Sequence, residues 1–209
     1  MNHKPRWDVF CTVVDNYGDI GVCWRLAQQL AHEHAIAVRL WVDELVPLAR
    51  LFPGADPALA TQSFDGVEVR RWRKEFPAVE PADVVIEAFA CELPASYIEA
   101  MAQRAAPPGW INLEYLSAEA WVEGAHGLPS PHPRLPLTKY FFFPGFTAKT
   151  GGLIREADYD AGARQFDAAA FRARLGLPPA RRDELTISLF GYENAALPGL
   201  LDAWSRSAR

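Results

Sequence analysis

Residues 8–30 read DVFCTVVDNYGDIGVCWRLAQQL, and the change of pattern within them decides the fold. An apolar run ends near Val14, and an amphipathic run with helical spacing begins near Gly21. The residues between them therefore form a strand-to-helix turn, a turn that often binds phosphate on its backbone N–H groups. This turn instead carries two carboxylates, Asp15 and Asp19, and a phosphate site would not be expected to contain them.

Strand-like and helix-like segments alternate through the first 150 residues. The predicted strands are Trp7–Val14, Ala37–Val42, Val67–Trp72, Val84–Ala88, Trp110–Glu114 and Tyr140–Phe143, and the predicted helices are Gly21–His32, Glu44–Phe52, Pro94–Ala105 and Ala118–Glu123. Continuously apolar strands such as DVVIEAFA suit a parallel sheet that is covered on both faces. The pattern predicts an α/β protein with a doubly wound, Rossmann-like parallel sheet.

The alternation breaks at FPGFTAKTGGLIRE, where Gly145, Gly151 and Gly152 indicate a linker. We therefore predict a first domain at 1–150, a linker with a short helix at 151–182, and the start of a second α/β domain at 183–209. That last part contains a predicted strand, LTISLF, and a predicted helix, LPGLLDAWSR. One strand and one helix cannot cover a sheet, so we expect the chain to be the front part of a longer protein.

Composition excludes several classes of function. The net charge of −5 argues against a nucleic-acid partner, since such binding needs a basic surface. The three cysteines are widely spaced in apolar runs and indicate reduced core thiols rather than a disulfide framework. No apolar run approaches the length of a membrane span and no signal peptide is evident, so we expect a cytoplasmic protein without a membrane partner.

The turn departs from the dinucleotide-binding pattern. A G-x-G-x-x-G fingerprint needs three glycines, and only Gly18 and Gly21 are present. Asp15 and Asp19 would repel a pyrophosphate, and the dipole of the following helix keeps them ionised. Paired ionised carboxylates suit a cation, a hydroxyl to be deprotonated, or a metal. The alternative is structural: Asp19 caps the helix and Asp15 turns the end of the strand.

Two further stretches are rich in aromatic residues, proline and glycine. They are NLEYLSAEAWVEGAHGLPSPHP and LTKYFFFPGFTAKTGGLIRE, and each follows or contains a predicted strand. In open parallel sheets the carboxyl ends of the strands form the ligand crevice. Glu114, Tyr115 and Ser117 would lie there, and Phe146 would follow the next strand. The alternative is that the aromatic side chains belong to the core and that Glu114 caps a helix.

Five segments together resemble a known family. They are VVDNYGDIGVCWRLAQQL, NLEYLSAEAWVEG, GLPSPHP, LTKYFFFPGFTAKTGGLIRE and SLFGYEN; they occur in this order, and the resemblance runs from about Trp7 to Tyr192. The chain resembles the bacterial protein-arginine rhamnosyltransferases that modify translation elongation factor P. The resemblance implies a two-domain GT-B glycosyltransferase that transfers L-rhamnose from dTDP-β-L-rhamnose to an arginine side chain, with inversion and without a metal or other cofactor.

The resemblance also implies roles for individual residues. The amino-terminal domain would receive the protein acceptor, and residues 183–209 would begin the domain that holds the nucleotide sugar. Asp15 and Asp19 would be the catalytic pair, with Asp19 as the favoured base. Donor binding is assigned to Tyr17, Gly18, Phe190 and Tyr192, and acceptor binding to Asn16, Glu114, Tyr115 and Ser117. Because the downstream donor-binding part is absent, we expect the 209-residue chain by itself to be inactive.

A guanidinium acceptor would explain the carboxylates, because its planar fork can be held bidentately. Three alternatives stay open at this point. A Rossmann-type nucleotide-dependent enzyme is disfavoured by the missing third glycine, and a divalent-metal enzyme would need substrate phosphates nearby. A non-catalytic protein-binding α/β module is the strongest alternative, since half of an enzyme can still dock its partner.

Overall fold

The computed structural model describes residues 4–15, 17–73, 75–189, 191 and 194–207. It divides into two compact units, Met1–Tyr159 and Asp160–Arg209. The division into three segments predicted from the sequence stays a prediction, as do the GT-B architecture and the identity of the second domain.

The first unit is built on one eight-stranded sheet. Its strands are β1 (Arg6–Cys11), β2 (Ala37–Val42), β3 (Thr61–Phe64), β4 (Val67–Arg71), β5 (Val84–Ala88), β6 (Gly109–Leu113), β7 (Pro129–Pro131) and β8 (Thr138–Phe142), in the order β3-β4-β2-β1-β5-β6-β8-β7. The six inner strands are parallel, and only β3 and β7, at the two edges, are antiparallel to their neighbours. The predicted doubly wound parallel sheet is confirmed.

Four helices of this unit join the strands. They are α1 (Gly18–Glu33), α2 (Val46–Leu51), α3 (Ala95–Ala102) and α4 (Val122–Ala125). Side chains of α1 and α2 form one core cluster with the sheet face that carries Val9, while α3 packs on the opposite face, which carries Phe10. Alternate residues of each strand thus enter cores on opposite sides of the sheet, as the continuous apolar runs predict.

The strand order reverses beside β1. The chain proceeds outward from β1 through β2 to β4, and then returns to add β5, β6 and β8 on the other side. The loops that follow β1 and β5 therefore leave the sheet at the same ends of the strands and lead away in opposite directions, the arrangement that forms the ligand crevice in open α/β sheets. In open α/β sheets this switch point is where ligands bind, and here it is bordered by the DNYGD turn and by residues 89–92.

A buried ion pair crosses the α3 side of the sheet. Arg39 donates to both carboxylate oxygens of Asp8, at 2.6 and 2.5 Å, and Tyr97 of α3 donates its hydroxyl to the same carboxylate. Asp8 is fully buried and Arg39 nearly so. Although burial by itself lowers the pKa of the Arg39 guanidinium, the bonds to Asp8 raise it overall. The pair ties β1, β2 and α3 together at the end of the sheet opposite the switch point.

The second unit holds most of α5 (Tyr159–Gln165) together with α6 (Ala168–Arg174) and α7 (Leu197–Ser207). The carboxylate of Asp167 accepts from the N–H of Ala170 and caps α6, and Gly176, with φ of 69°, follows its end. None of the described side chains of this unit is buried.

Several element predictions were wrong. The predicted strand LTISLF is not formed: residues 185–189 are described and lie outside any strand, while Phe190 lies outside the described residues. A strand exists only by pairing, and the described part of the second unit contains no other strand. The edge strands β3 and β7 were missed. Helix α4 begins at Val122 rather than Ala118, since residues 114–119 run as an extended loop.

Candidate active site

The turn after β1 is closed by two backbone hydrogen bonds. The N–H of Gly18 donates to the carbonyl of Asp15 at 2.7 Å, and the N–H of Gly21 donates to the carbonyl of Tyr17 at 2.9 Å. Tyr17 is the N-cap of α1 and makes no capping bond with its side chain. Asp19 therefore stands in the first turn of the helix and is not its N-cap residue.

The Asp19 carboxylate turns back toward the end of β1. Its Oδ2 accepts from the backbone N–H groups of Val14 and Asp15, at 2.9 and 2.8 Å, and its Oδ1 accepts from the hydroxyl of Tyr115 at 2.9 Å. Asp19 is 1% exposed. Two N–H groups of the turn, those of Val14 and Asp15, are therefore already occupied by a carboxylate of the chain itself and are not open to an external anion.

Asp15 is the outer carboxylate of the pair, and it is exposed. Its side chain lies over Gly18, where a Cβ would collide with the carboxylate group. Any larger residue at this position would displace the Asp15 carboxylate, although the backbone conformation of Gly18 does not itself demand a glycine. The turn thus presents an exposed carboxylate in front of a buried one.

Tyr115 links the turn to the loop after β6. Its ring stacks on Phe89, with centroids 4.3 Å apart and planes at 14°, and its hydroxyl reaches Asp19. Burial is the largest cause that raises the pKa of the Tyr115 phenol to about 12, followed by the hydrogen bond to Asp19 and the charges of Asp19 and Asp15. Residues that follow three different strands, β1, β5 and β6, are therefore in contact at the switch point.

Asp43, which follows β2, was missed by the sequence analysis. Its Oδ1 accepts from the N–H of Val13 and from that of Glu44, both at 2.9 Å. It stabilises the start of the turn that carries Asp15 and Asp19. The sequence does contain a signal for it, because an acidic residue directly follows an apolar strand. Asp43 therefore lies at the carboxyl ends of the parallel strands, where Asp15 and Asp19 are also expected.

The remaining predicted residues lie in several places. The Tyr17 hydroxyl accepts from Arg50 at 3.3 Å, on the side of α2. Glu114 accepts from the amide of Asn112 at 2.5 Å, and the Ser117 hydroxyl oxygen accepts from the N–H of Glu119. Asn16, Phe190 and Tyr192 lie outside the described residues. The structure thus brings Tyr115 into contact with Asp19, while the binding roles assigned to these residues stay predictions.

A groove of about 540 Å³ lies between α1 and the neighbouring sheet face. Arg25 and Gln29 of α1 contribute to one side, Phe142 and Glu114 to another, and residues 151–154 close it along its length. Its lining is largely apolar, since the sheet contributes side chains such as Phe142.

The segment that follows this groove is fixed to α1 by polar contacts. Arg25 donates two hydrogen bonds to Glu156, at 2.8 and 2.9 Å, and Glu33 accepts from the N–H of Ala157 at 2.8 Å. The pKa of the Glu156 carboxyl is lowered, mainly by the hydrogen bonds from Arg25. The pKa of Glu33 is also lowered, mainly by the hydrogen bond from the N–H of Ala157. The first residues of the predicted linker are therefore ordered against the first unit.

The three cysteines are free thiols, with Cys11 and Cys23 buried and Cys91 half-buried. Within the described ranges, no group of three or more histidine, cysteine, aspartate or glutamate side chains is placed to hold a metal ion. No helix in the described part of the chain is long and apolar enough to cross a membrane. A cytoplasmic location stays a prediction.

The fold and the site together define a Rossmann-like α/β protein whose switch point carries carboxylates where a nucleotide-binding relative has an open phosphate turn. A family model described as "Elongation-Factor P (EF-P) rhamnosyltransferase EarP" matches residues 7–209. The chain belongs to this family, as the sequence resemblance predicts.

Relatives of known name support the same assignment. Proteins named protein-arginine rhamnosyltransferase from Pseudomonas putida and Pseudomonas aeruginosa are 57% and 56% identical to this chain, over 96% and 94% of its length. One from Neisseria meningitidis is 41% identical over 99% of the chain. These matches cover 54%, 53% and 53% of the relatives, so the chain spans about half the length of the curated relatives it matches.

Proposed function

We propose that the complete protein to which this chain belongs transfers L-rhamnose from dTDP-β-L-rhamnose to an arginine side chain of translation elongation factor P, with inversion and without a metal. Family membership supports the reaction class. The observation that carries the proposal at this site is the placement of Asp19, whose carboxylate occupies the N–H groups of Val14 and Asp15 and puts an acidic side chain at the switch point. A cationic acceptor fits such a site, and a pyrophosphate does not.

The two carboxylates would act in sequence on the guanidinium. Asp15 is exposed and would meet the incoming cation first, while Asp19 lies behind it. A carboxylate offers about four acceptor positions. Val14, Asp15 and Tyr115 donate to Asp19 in the described part of the chain and take three of them, so the free position is on Oδ1. The substrate N–H would donate there, beside the Tyr115 hydroxyl.

Proton transfer must be late in this reaction. The pKa of arginine lies roughly 8 units above that of an ordinary aspartate, so full transfer before attack would cost on the order of 11 kcal/mol. Paired carboxylates increase this difference, since they stabilise the cation. The guanidinium nitrogen would therefore attack the anomeric carbon as the bond to the diphosphate breaks. The proton would pass to Asp19 as the nitrogen loses its resonance with the guanidinium, and dTDP would leave as the nucleoside diphosphate.

The other assigned residues would complete the two binding surfaces. Tyr17 and Gly18, beside the carboxylates, would contact the sugar, and Phe190 and Tyr192 would contribute to the donor pocket. Asn16, Glu114 and Ser117 would contact the protein acceptor together with Tyr115. Because residues 183–209 would supply only one wall of a donor pocket, we propose that the 209-residue chain binds the acceptor weakly and neither retains the nucleotide sugar nor transfers rhamnose.

A mass-spectrometric assay tests the proposal. The full-length protein is incubated with elongation factor P and dTDP-β-L-rhamnose, with dTDP-glucose as the control donor and a chelator in a parallel reaction. We expect one rhamnosyl adduct that peptide mapping places on an arginine, no adduct from the control donor, and no effect of the chelator. An unmodified acceptor would contradict the proposed reaction, and inhibition by the chelator would contradict the metal-independent mechanism.

A further inference from the structure

The loop after β5 has an unusual backbone. Phe89, Ala90 and Glu92 have φ values of 55°, 52° and 53°, in the left-handed region that glycine adopts easily and other residues adopt at a cost. None of the three is a glycine or an asparagine, and Phe89 is bulky. Such conformations persist when the surrounding structure fixes them, and they cluster at functional sites.

The loop is fixed from both sides. The N–H of Phe89 donates to the carbonyl of Leu113 at 2.7 Å, which extends the ladder between β5 and β6 by one bond. The thiol of Cys91 donates to the carbonyl of Phe10 in β1 at 3.4 Å. Since β1 and β5 border the switch point, these bonds hold the strained loop there, beside the turn that follows β1.

The left-handed conformation places the ring of Phe89 against Tyr115. The two rings are nearly parallel, at 14° with a centroid distance of 4.3 Å, and Tyr115 is otherwise half exposed, at 52%. An exposed tyrosine without such a support would sample several rotamers. The stack therefore limits Tyr115 to the rotamer in which its hydroxyl reaches Asp19.

We propose that Phe89 is a positioning residue for the reaction: it fixes Tyr115 by ring stacking, and Tyr115 in turn fixes the Asp19 carboxylate. This rests on the proposed role of Asp19 as the base. Phe89 would not touch the substrate. It would act by keeping the unoccupied lone pair of Asp19 Oδ1 directed at the nitrogen of the substrate arginine. This orientation matters because small displacements of a catalytic group reduce the rate steeply.

The test uses the full-length protein labelled with 3-fluorotyrosine, whose phenol ionises at lower pH than that of tyrosine. Fluorine NMR follows the ionisation, and the Tyr115→Phe variant assigns the resonance. The wild-type Tyr115 phenol should have a raised pKa because burial, Asp19, Asp15 and Cys11 all favour its neutral form. In Phe89→Leu that pKa should fall toward the value of the free amino acid, since the hydroxyl leaves its site.

Activity and stability provide the second and third readouts. Phe89→Leu should lower kcat by about three- to tenfold, the range set by the loss of an aromatic stack, with KM for the acceptor little changed. Phe89→Tyr keeps the ring and should restore both kcat and the phenol pKa.

Phe64→Leu removes a comparable stack on Trp24, at 4.5 Å, away from the site, and serves as the matched control. It should lower the melting temperature but leave both other readouts unchanged.

The outcomes separate this proposal from the proposed function. If Phe89→Leu lowers the melting temperature as Phe64→Leu does and leaves the phenol pKa and kcat unchanged, Phe89 is only a packing residue and the proposal is overturned. An altered phenol pKa with wild-type kcat, in a protein that Asp19→Asn inactivates, would also overturn it. If Asp19→Asn itself retains wild-type kcat, the base role of Asp19 fails, and the positioning role fails with it.

Discussion

The hydroxyl of Tyr115 donates to Oδ1 of Asp19 at 2.9 Å across 96 residues of sequence. This bond joins the loop after β6 to the turn after β1 and brings two residues assigned from the sequence into one site. It also means that, among the described residues, three donors orient the inner carboxylate before any substrate arrives, which is the preorganisation that a base needs.

Tyr115→Phe removes one of these three donors and leaves the ring on Phe89. We expect kcat of the full-length enzyme to fall by about fivefold, the rate equivalent of about 1 kcal/mol for one hydrogen bond. The melting temperature should change little, because the residue is half exposed. Tyr140→Phe, an exposed tyrosine of β8, is the control. A Tyr115→Phe enzyme with wild-type kcat would mean that the bond has no part in catalysis.

Gly18→Ala adds a Cβ where the Asp15 carboxylate lies, so Asp15 must move. We expect a large loss of activity with little change in the melting temperature, because alanine is a better helix former than glycine. Gly124→Ala is the matched control, since a Cβ at Gly124 meets no atom within 4 Å. Unchanged transfer rates in Gly18→Ala would show that the position of Asp15 is not critical.

Asp8→Ala leaves the guanidinium of Arg39 buried without its main partner. Breaking such a pair typically costs 3–5 kcal/mol, so we expect a drop in melting temperature on the order of 10 °C. Asp183 forms the same type of pair with Arg181, but at the surface, with side chains 70% and 74% exposed. Asp183→Ala should therefore shift the melting temperature by no more than about 2 °C. Similar drops in melting temperature for Asp8→Ala and Asp183→Ala would contradict the claim that burial makes the Asp8–Arg39 pair important for stability.

Glu156→Gln tests the contact between α1 and the segment after the groove. The pKa of Glu156 is lowered in the folded protein, below its ordinary value of 4.5. The contact with Arg25 therefore contributes its full stabilisation above pH 4.5, and this stabilisation is lost as the pH falls through the lowered pKa. At pH 7 we expect the variant to melt about 1–3 °C below wild type, since Arg25 is partly exposed. The difference should close as the pH falls from 7 through the lowered folded pKa of Glu156. A constant difference across this range would exclude ionisation of Glu156 as its cause.

The sequence predicted the parallel centre of the sheet well, because β1, β2, β5 and β6 are short, largely apolar runs and β4 alternates apolar with charged residues. The edge strands were harder. β7 is the tripeptide PSP, and its two prolines argue against any strand. β3 and β4 form a hairpin around Asp65 and Gly66, both with positive φ, so the Asp-Gly pair was a hairpin signal that went unused.

The site was predictable in part. The spacing of Asp15 and Asp19 at a strand-to-helix turn identified the carboxylates, but not that Asp19 would fill the N–H groups of its own turn. The bond from Tyr115 depends on β6 lying two strands from β1, with β5 between them, and no local pattern specifies that order. Phe89 directly follows the predicted strand Val84–Ala88, and its position could not be predicted, because a left-handed conformation leaves no mark in a sequence of non-glycine residues.

The most direct test of the central claim is the single-turnover rate of rhamnosyl transfer by Asp19→Asn in the full-length enzyme, measured beside the Kd for elongation factor P. Asparagine keeps the shape: its oxygen can accept from Val14 and Asp15, and its amide can donate to Tyr115. Asp65→Asn, in the hairpin turn, is the control, since asparagine tolerates its positive φ. We expect Asp19→Asn to lose most of the transfer rate, while its Kd for elongation factor P stays within a few fold of the wild-type value. This result is expected because the substitution removes the proton acceptor and leaves the shape of the site unchanged. A wild-type transfer rate in Asp19→Asn would contradict the account.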